Sequence, residues 1–529
     1  MGVGLAGRGQ TVKQSDIAPT PGEVWRQMVR GLHAFGVTGH PGRSASMLRY
    51  ALPRHGLTPA AAVLAAALVW GDRTALTDQW GSLTHRGLGV ATVRMARGLA
   101  AAGIAPGTRV AVMVDDDRFM LIATGAASLC GATIEMFNPR LGKDDLAASL
   151  TDHRVAAVIH SPGCESRLSG FSGIRVSTAD DLLNTAAGPV PSFARQSALV
   201  MLTGGTTSAP TAIPVIRRWT GAFPLFALAG QSGVEPGVPT LICAPLFHGY
   251  GFSCALLCLV AGSPMVLSSA CRPGHTAQLD KGKTATAWGQ AMYDVICREG
   301  VGSVIGVPAQ FRSLARYLAD RPRQPGERVT AVVSGADRLD GDTIEAFQRR
   351  WGPVVTNYYG TTESGTVTMI AGADLANRPT SLGRPVAGSR VRIVDDQGAV
   401  LPRGVQGHIQ LVSPIASVGK SSGWRAWYTT SDIGWVDGDG YLYLAGRAGP
   451  KQRVGGEFVN LSMVEDLLAG ADGVDWARAS IVDDDIMGRR VTAQIGTSTP
   501  KSIDVEHLRR EIRDRLGPAA VPVGIDVIG

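Results

Sequence analysis

Leu199-Val-Met-Leu-Thr-Gly-Gly-Thr-Thr-Ser-Ala-Pro210 changes character partway along. Leu199 to Leu202 are apolar and read as a short buried strand. Thr203, Gly204, Gly205, Thr206, Thr207 and Ser208 then supply only hydroxyls and glycines. Such a loop can turn backbone amides and hydroxyl donors toward an anion, because glycine permits left-handed backbone and close approach. The Gly-x-x-x-x-Gly-Lys order of a Walker loop is missing. The segment is therefore either another kind of phosphate cradle or a polar turn, and its surroundings decide between the two.

Working outward, short apolar runs alternate with helical patterns. Upstream, Pro59 to Trp70 reads as an alanine-rich helix, and Ala75–Asp78 with Gly81–His85 as a hairpin. A helix over Val90–Ala102, a strand over Arg109–Val114, a helix over Phe119–Cys130 and a strand over Thr133–Phe137 follow. Asn138-Pro-Arg-Leu141 turns the chain ahead of a buried strand over Val155–His160. Downstream, Leu241–Ala244, Pro264–Leu267, Ser303–Gly306 and Thr330–Ser334 are further strands, with a helix starting near Gly251. This alternation predicts an α/β fold whose mostly parallel sheet is covered on both faces.

From about Leu382 the texture becomes strand-rich, with turns at Asp395–Gly398, Pro402–Gly404 and Asp437–Gly440. It predicts a small β-barrel or an antiparallel sheet. Gly446-Arg-Ala-Gly-Pro450 is the best linker candidate. The expected division is an extension over 1–58, a large domain over 59–446 with its β-rich part at about 382–446, and a small α+β domain over 447–529. Within the extension, Glu23–Phe35 and Ser44–Leu52 suit short helices.

Composition narrows the classes. With 529 residues the chain exceeds one ordinary core. A net charge of +7 comes from scattered basic residues without a block, which argues against a nucleic-acid surface. The seven cysteines form no Cys-x-x-Cys pair and lie mostly in apolar runs, as expected of reduced thiols in the cytoplasm. The apolar run Ala60–Trp70 is too short to span a bilayer, and no secretory signal is visible.

Four further segments carry chemistry. Pro245-Leu-Phe-His-Gly-Tyr-Gly-Phe252 sets His248 between a strand and a glycine-bearing turn. Ser334-Gly-Ala336 ends a strand at the carboxyl edge of the sheet, where open α/β sheets bind ligands. Asn357-Tyr-Tyr-Gly-Thr-Thr-Glu-Ser364 offers a flat ring for a base, a tight turn, a hydroxyl for phosphate and a carboxylate for Mg²⁺. Thr429-Thr-Ser-Asp-Ile-Gly434 places Asp432 where ribose hydroxyls could be held.

In this order and spacing the segments resemble the adenylate-forming superfamily of acyl-CoA synthetases, luciferase-like ligases and peptide-synthetase adenylation domains. The resemblance runs from Asp72 to Gly529 and is carried by Tyr359-Gly-x-Thr-Glu363, Pro245-Leu-x-His-x-x-Gly251, and Asp432 followed by Gly446-Arg447. Gly383-Arg-Pro385 and Gly455-Gly-Glu457 add to it. It implies a large domain, a mobile small domain and a site between them, where ATP and a carboxylate give an acyl-adenylate that a thiol, usually of CoA, then attacks. Carried over, Thr203, Gly205, Thr206 and Thr207 would hold the pyrophosphate part of ATP. Gly335, Ala336 and Tyr359 would frame adenine, Thr362 would contact the α-phosphate and Glu363 the Mg²⁺. Asp432 and Arg447 would hold the ribose, and His248 would stand where acyl and thiol channels meet.

The chain departs from the family pattern in places. In the phosphate loop Gly204 replaces a serine, Ser208 a glycine, Thr211 a lysine and Ala212 a glycine. The hinge reads Gly446-Arg-Ala-Gly-Pro450 in place of Gly-Arg-x-Asp-Asp, and its proline would stiffen the pivot. The family's late lysine segment has no counterpart before Gly529, so the small domain reads as truncated. Loss of one preorganised donor costs about 10²–10³ in rate, which predicts atypical adenylation. The expected function is ATP-dependent activation of a carboxylic acid with transfer to CoA. Activation of nitrite for diazotisation of an aryl amine, and a non-catalytic nucleotide-binding role, remain open as alternatives.

Overall fold

The computed structural model describes residues 16–34, 56–115, 117–179, 188–203, 211–215, 223–271, 284–414, 417–418, 421–422, 427–448, 451–497 and 503–528. Helix Pro59–Trp70 starts where Pro59 follows the N-cap Thr58, whose hydroxyl accepts from Ala61 N at 3.3 Å. Its end at Gly71 uses a positive φ of 54°. Helix His85–Ala101 begins five residues before the expected Val90, because the Thr84 side chain caps Gly87 N at 3.0 Å. The hairpin Thr74–Asp78 with Gly81–Thr84 is present.

Two large sheets result. The six-stranded sheet runs Ile174–Ser177, Ala157–His160, Arg109–Met113, Thr133–Met136, Ala198–Thr203 and Thr211–Val215. All neighbours are parallel except the last pair. Strand Ala157–His160 is buried throughout, as a strand covered on both faces must be. The opening stretch thus forms the strand next to the sheet's edge, paired parallel to Thr133–Met136 on one side and antiparallel to Thr211–Val215 on the other.

The thirteen-stranded sheet has a parallel centre of Thr74–Asp78, Met265–Leu267, Thr240–Ile242, Ser303–Gly306, Ala331–Ser334 and Val355–Thr361. It continues antiparallel through Gly365–Ala371, Ser381–Pro385, Leu442–Arg447, Tyr428–Val436, Gly407–Val412 and Arg390–Val394. The strand-rich stretch from Leu382 is therefore an open antiparallel edge of the large sheet, and no barrel closes. Helices cover the sheets, and the largest apolar cluster joins Val63, Leu121, Phe252 and Tyr358 among its members.

The N-terminal helix Pro21–Ala34 matches the expected one, and the other expected helix, over Ser44–Leu52, lies outside the described residues. Ile17 bridges Val391, Glu23 pairs with Arg384 at 3.0 Å and Gln27 accepts from Ala387 N at 2.7 Å.

Beyond Arg447 the chain builds a hairpin, Lys451–Val454 with Glu457–Asn460, and a three-stranded sheet of Trp476–Asp484, Gly488–Gly496 and Ile525–Ile528. Helices Leu461–Ala469 and Val505–Leu516 close its own apolar cluster, which includes Val464, Val491 and Ile512. Gly455 and Gly456 turn the hairpin with φ of 58° and 93°, the conformation that glycine adopts most readily. This C-terminal part meets the thirteen-stranded sheet's helices at Arg312, which donates to Ile486 O at 2.6 Å, and the six-stranded sheet's helix Lys143–Asp152 through Arg515, which pairs with Asp144 at 2.8 Å.

Candidate active site

The site candidates collect at the carboxyl edge of the parallel strands. Strand Val355–Thr361 sends Tyr359 to one face, where its hydroxyl donates to Asp432 Oδ2 at 2.7 Å. Asp432 pairs in register with Arg447 across antiparallel strands, and the guanidinium stands 3.6 Å from its other oxygen. The Thr430 hydroxyl accepts from Asp432 N at 3.1 Å and fixes the local backbone. Tyr359, Asp432 and Arg447, all expected together, are together.

Gly360 leads into a tight turn, and a Cβ there would overlap the Gly365 carbonyl oxygen. The turn is tied by Thr361 N donating to Ser364 Oγ at 3.1 Å, and Ser413 Oγ donates to Ser364 O at 2.6 Å. Thr362 and Glu363 occupy its tip, half-buried. Neither side chain has a hydrogen-bond partner among the described residues. The donor chemistry fits Mg²⁺, which takes one or two carboxylates and completes its shell with water and substrate phosphates. Groups of three or more His, Cys, Asp or Glu side chains able to hold a metal do not occur among the described residues.

Gly335 and Ala336 follow strand Ala331–Ser334. A Cβ at Gly335 would overlap the Tyr358 ring, so only glycine lets the backbone lie against it. Ala336 has a φ of 70°, unusual for a residue with a Cβ and of the kind that gathers at ligand sites. Ser334 and Asn357 are register partners, and Ser334 Oγ and Asn357 Oδ1 are both buried without a partner among the described residues. Two orphaned polar atoms at one strand edge are a cost unless a ligand meets them. Sequence reading missed both as site residues, although Asn357 opens the motif; its signal is unpaired burial, which only packing reveals.

His248 stands at the N-cap position of helix Gly249–Ala261 without a side-chain capping bond, and its ring lies obliquely on Phe247, centroids 4.5 Å apart. Its side chain is exposed on one side, and the protein packed around the rest of the ring lowers its pKa from the ordinary 6.5. Glu457 opposes the shift, whereas Arg140 and Arg453 reinforce it. Glu457 belongs to the 451–460 hairpin and meets Arg140 at 3.4 Å and Asn138 Nδ2 at 3.5 Å. Arg140 also lies over the Phe247 ring at 5.2 Å. On the same hairpin Phe458 has two guanidiniums against it, Arg447 at 4.6 Å and Arg453 at 4.4 Å. Burial lowers the pKa of Arg453, with Arg447 adding to the shift and the charges of Asp337 and Asp432 opposing it. The cleft therefore combines a neutral imidazole with several cations, suited to an anionic ligand. The meeting of Arg140 and Glu457 was not foreseen, because it depends on how the hairpin packs.

Thr203 ends strand Ala198–Thr203, whereas Gly205, Thr206 and Thr207 lie outside the described residues, as do Gly449 and Pro450 of the hinge. No helix among the described residues is long and apolar enough to cross a membrane.

A family model described as AMP-binding enzyme matches residues 64–419. A feruloyl-CoA synthase from an Amycolatopsis species is 26% identical over 467 residues, covering 86% of this chain and 91% of its own length. A 2-succinylbenzoate–CoA ligase from a Geobacillus species is 25% identical over 476 residues, covering 86% and 91%. Among solved structures, the amide bond synthetase McbA from Marinactinospora thermotolerans superposes with a TM-score of 0.76 at 25% identity, covering 89% of this chain and 96% of that one.

Proposed function

The chain belongs to the AMP-binding enzyme family, and on that premise we propose that it activates a carboxylic acid with ATP and passes the acyl group to CoA. The observation that carries this reading is the convergence of Tyr359, Asp432 and Arg447 beneath the 451–460 hairpin, next to the unpartnered Ser334 and Asn357. In the proposed arrangement Gly335, Ala336 and Tyr359 frame adenine, while Asp432 and Arg447 hold ribose. Thr203, Gly205, Thr206 and Thr207 cradle the pyrophosphate part of ATP, and Thr362 contacts the α-phosphate. Glu363 would hold Mg²⁺, which neutralises phosphate charge when bound.

The acid carboxylate attacks the α-phosphorus; the bond to the β-phosphate oxygen breaks, and pyrophosphate leaves. The CoA thiol, giving up its proton, then attacks the acyl carbon, and AMP departs with the acyl–oxygen electron pair. A lowered pKa keeps His248 neutral near pH 7, so its ring offers a nitrogen lone pair where the thiol would lose that proton. Arg140, Arg447 and Arg453 give the positive field that favours developing anionic charge. The proposed division is a large domain over 59–446 and a small one over 447–529, in a cytoplasmic protein.

An amine acceptor is the second reading, favoured by the likeness to an amide bond synthetase. Purified protein incubated with Mg²⁺, ATP and mixed carboxylates tests the first step through AMP and pyrophosphate. Adding CoA or amines in parallel separates the acceptors, and a nitrite arm tests the diazotising alternative. Failure to produce AMP with any acid or with nitrite would leave only a binding role.

A further inference from the structure

Strands Arg390–Val394 and Ser381–Pro385 stand at the two ends of a five-strand run, with Gly407–Val412, Tyr428–Val436 and Leu442–Arg447 between them. Asp432 and Arg447 lie on the last two of these inner strands. Among the described residues the end strands are not paired with each other. Yet only 386–389 joins them, folded into a turn by Ser389 N donating to Val386 O at 2.9 Å. The run must therefore curl until its ends come close, which leaves a seam between them.

Residues 16–34 lie along that seam. On one side Ile17 bonds Val391 in both directions, N–H to carbonyl, at 2.9 and 3.0 Å. On the other, Glu23 pairs with Arg384 at 3.0 Å, and Gln27 accepts from Ala387 N of the linking turn at 2.7 Å. Ile17 is buried in an apolar cluster whose members include Tyr359 and Leu442. Glu23 has a second task. One of its oxygens accepts from Thr20 N at 2.7 Å while Glu23 N donates to Thr20 Oγ1 at 3.3 Å, a capping box that starts helix Pro21–Ala34. Its other oxygen meets Arg384, so one carboxylate serves both the helix start and the sheet contact. The far end of the helix is fixed as well. A Cβ at Gly31 would overlap the Phe226 carbonyl oxygen, so this helix and helix Phe223–Ala229 meet backbone to backbone. The whole segment precedes residue 64, where the family match begins.

Accepting the nucleotide site proposed above, we propose that residues 16–34 brace the seam of the curled sheet and so hold Asp432 and Arg447 in register for ribose. Ile17, Glu23 and Gln27 are positioning residues, which act through the strands and the turn they pin. Unpaired sheet edges open locally at little cost, and ties on both sides of the seam raise that cost. The ribose contacts are then formed before the nucleotide arrives, and its affinity is not spent on ordering them.

The test uses the full chain. Ile17→Pro lacks the N–H that Val391 O accepts, and Glu23→Ala unties Arg384. Trp25→Ala, on the same helix with a residue 67% exposed, is the control. Calorimetry should show AMP affinity about tenfold weaker in the first two variants and unchanged in the third. KM for ATP should rise by a similar factor, with KM for the acid and kcat at saturating ATP kept. Hydrogen exchange should quicken in Tyr428–Val436 and Leu442–Arg447 and stay as in wild type in Ser303–Gly306 and Ala331–Ser334. Wild-type AMP affinity in both variants, or losses shared equally between ATP and the acid, would overturn the brace. If exchange quickens throughout Ile17→Pro, that variant is misfolded and Glu23→Ala decides. If wild type binds no AMP, the nucleotide reading fails; faster exchange confined to those two strands then still supports the brace, and uniform exchange overturns it.

Discussion

The Tyr359 hydroxyl donates to Asp432 Oδ2 at 2.7 Å, joining positions 73 apart in the chain. Both residues are buried, and the free side of the carboxylate looks toward Arg447 at 3.6 Å. A carboxylate held this way has one oxygen committed to protein and capacity left for a ligand.

Asp432→Ala removes the proposed ribose contact and strands the phenol. We expect AMP affinity, measured by calorimetry, to fall by about 10–100-fold. Tyr359→Phe keeps the ring for adenine and the carboxylate for ribose, so AMP affinity should change little while stability drops by about 1–2 kcal/mol. Wild-type affinity in Asp432→Ala would remove Asp432 from the nucleotide site.

Glu363→Gln tests the metal role separately. The tip carboxylate has no described partner to lose, so folding should be unaffected. Mg²⁺-dependent AMP formation should fall by about 10²-fold, with AMP binding in the absence of metal unchanged. If the variant forms AMP at the wild-type rate, the metal is held elsewhere.

Much of this was legible because local chemistry sets it. Helix Pro59–Trp70 follows from a cap, a proline and a run of alanines, and it matches residue for residue. The Tyr359, Asp432 and Arg447 meeting was carried by the family resemblance, since nothing local links positions so far apart. Of the barrel or antiparallel sheet expected after Leu382, the structure has the open antiparallel sheet; strand composition alone does not separate them, because it is the same whether a sheet closes or continues. The contact between Arg140 and Glu457 was not foreseen, although Glu457 closes the Gly455-Gly-Glu457 motif. It comes from long-range packing, which leaves no mark in sequence spacing.

Gly142 addresses the contact between the C-terminal part and the rest. A Cβ at Gly142 would overlap the Arg515 carbonyl, at the spot where helix Val505–Leu516 meets helix Lys143–Asp152. Gly142 itself has a φ of −60°, so a larger residue brings no backbone strain. Gly142→Val should therefore fold normally but disfavour the observed arrangement. AMP formation should persist, thioester formation should slow by about tenfold or more, and small-angle scattering should report a more extended particle. Unchanged scattering and thioester rate would show that the contact is dispensable.

His85 supplies a pH test independent of the site. It is 0% exposed, and neither ring nitrogen has a partner among the described residues. Burial, helped by Arg73, pushes its pKa from 6.5 down to about 4. Between those values the unfolded chain binds the proton more readily than the folded one, so this residue makes stability fall as pH drops through that window. Asp117 works the other way: burial, with Asp78 and Asp115, raises its pKa from 3.8 to about 7, so the folded state holds its proton and loses stability as pH rises. Because the two slopes oppose each other, the wild-type profile alone is uninformative, and the difference from a variant is what counts. His85→Leu removes one slope and leaves the other. Denaturant unfolding at pH 7 and pH 4.5 should show the variant gaining about 2 kcal/mol on wild type over that interval. A gap that stays constant with pH would mean His85 titrates normally in the folded protein, and that its surroundings are wetter than its burial indicates.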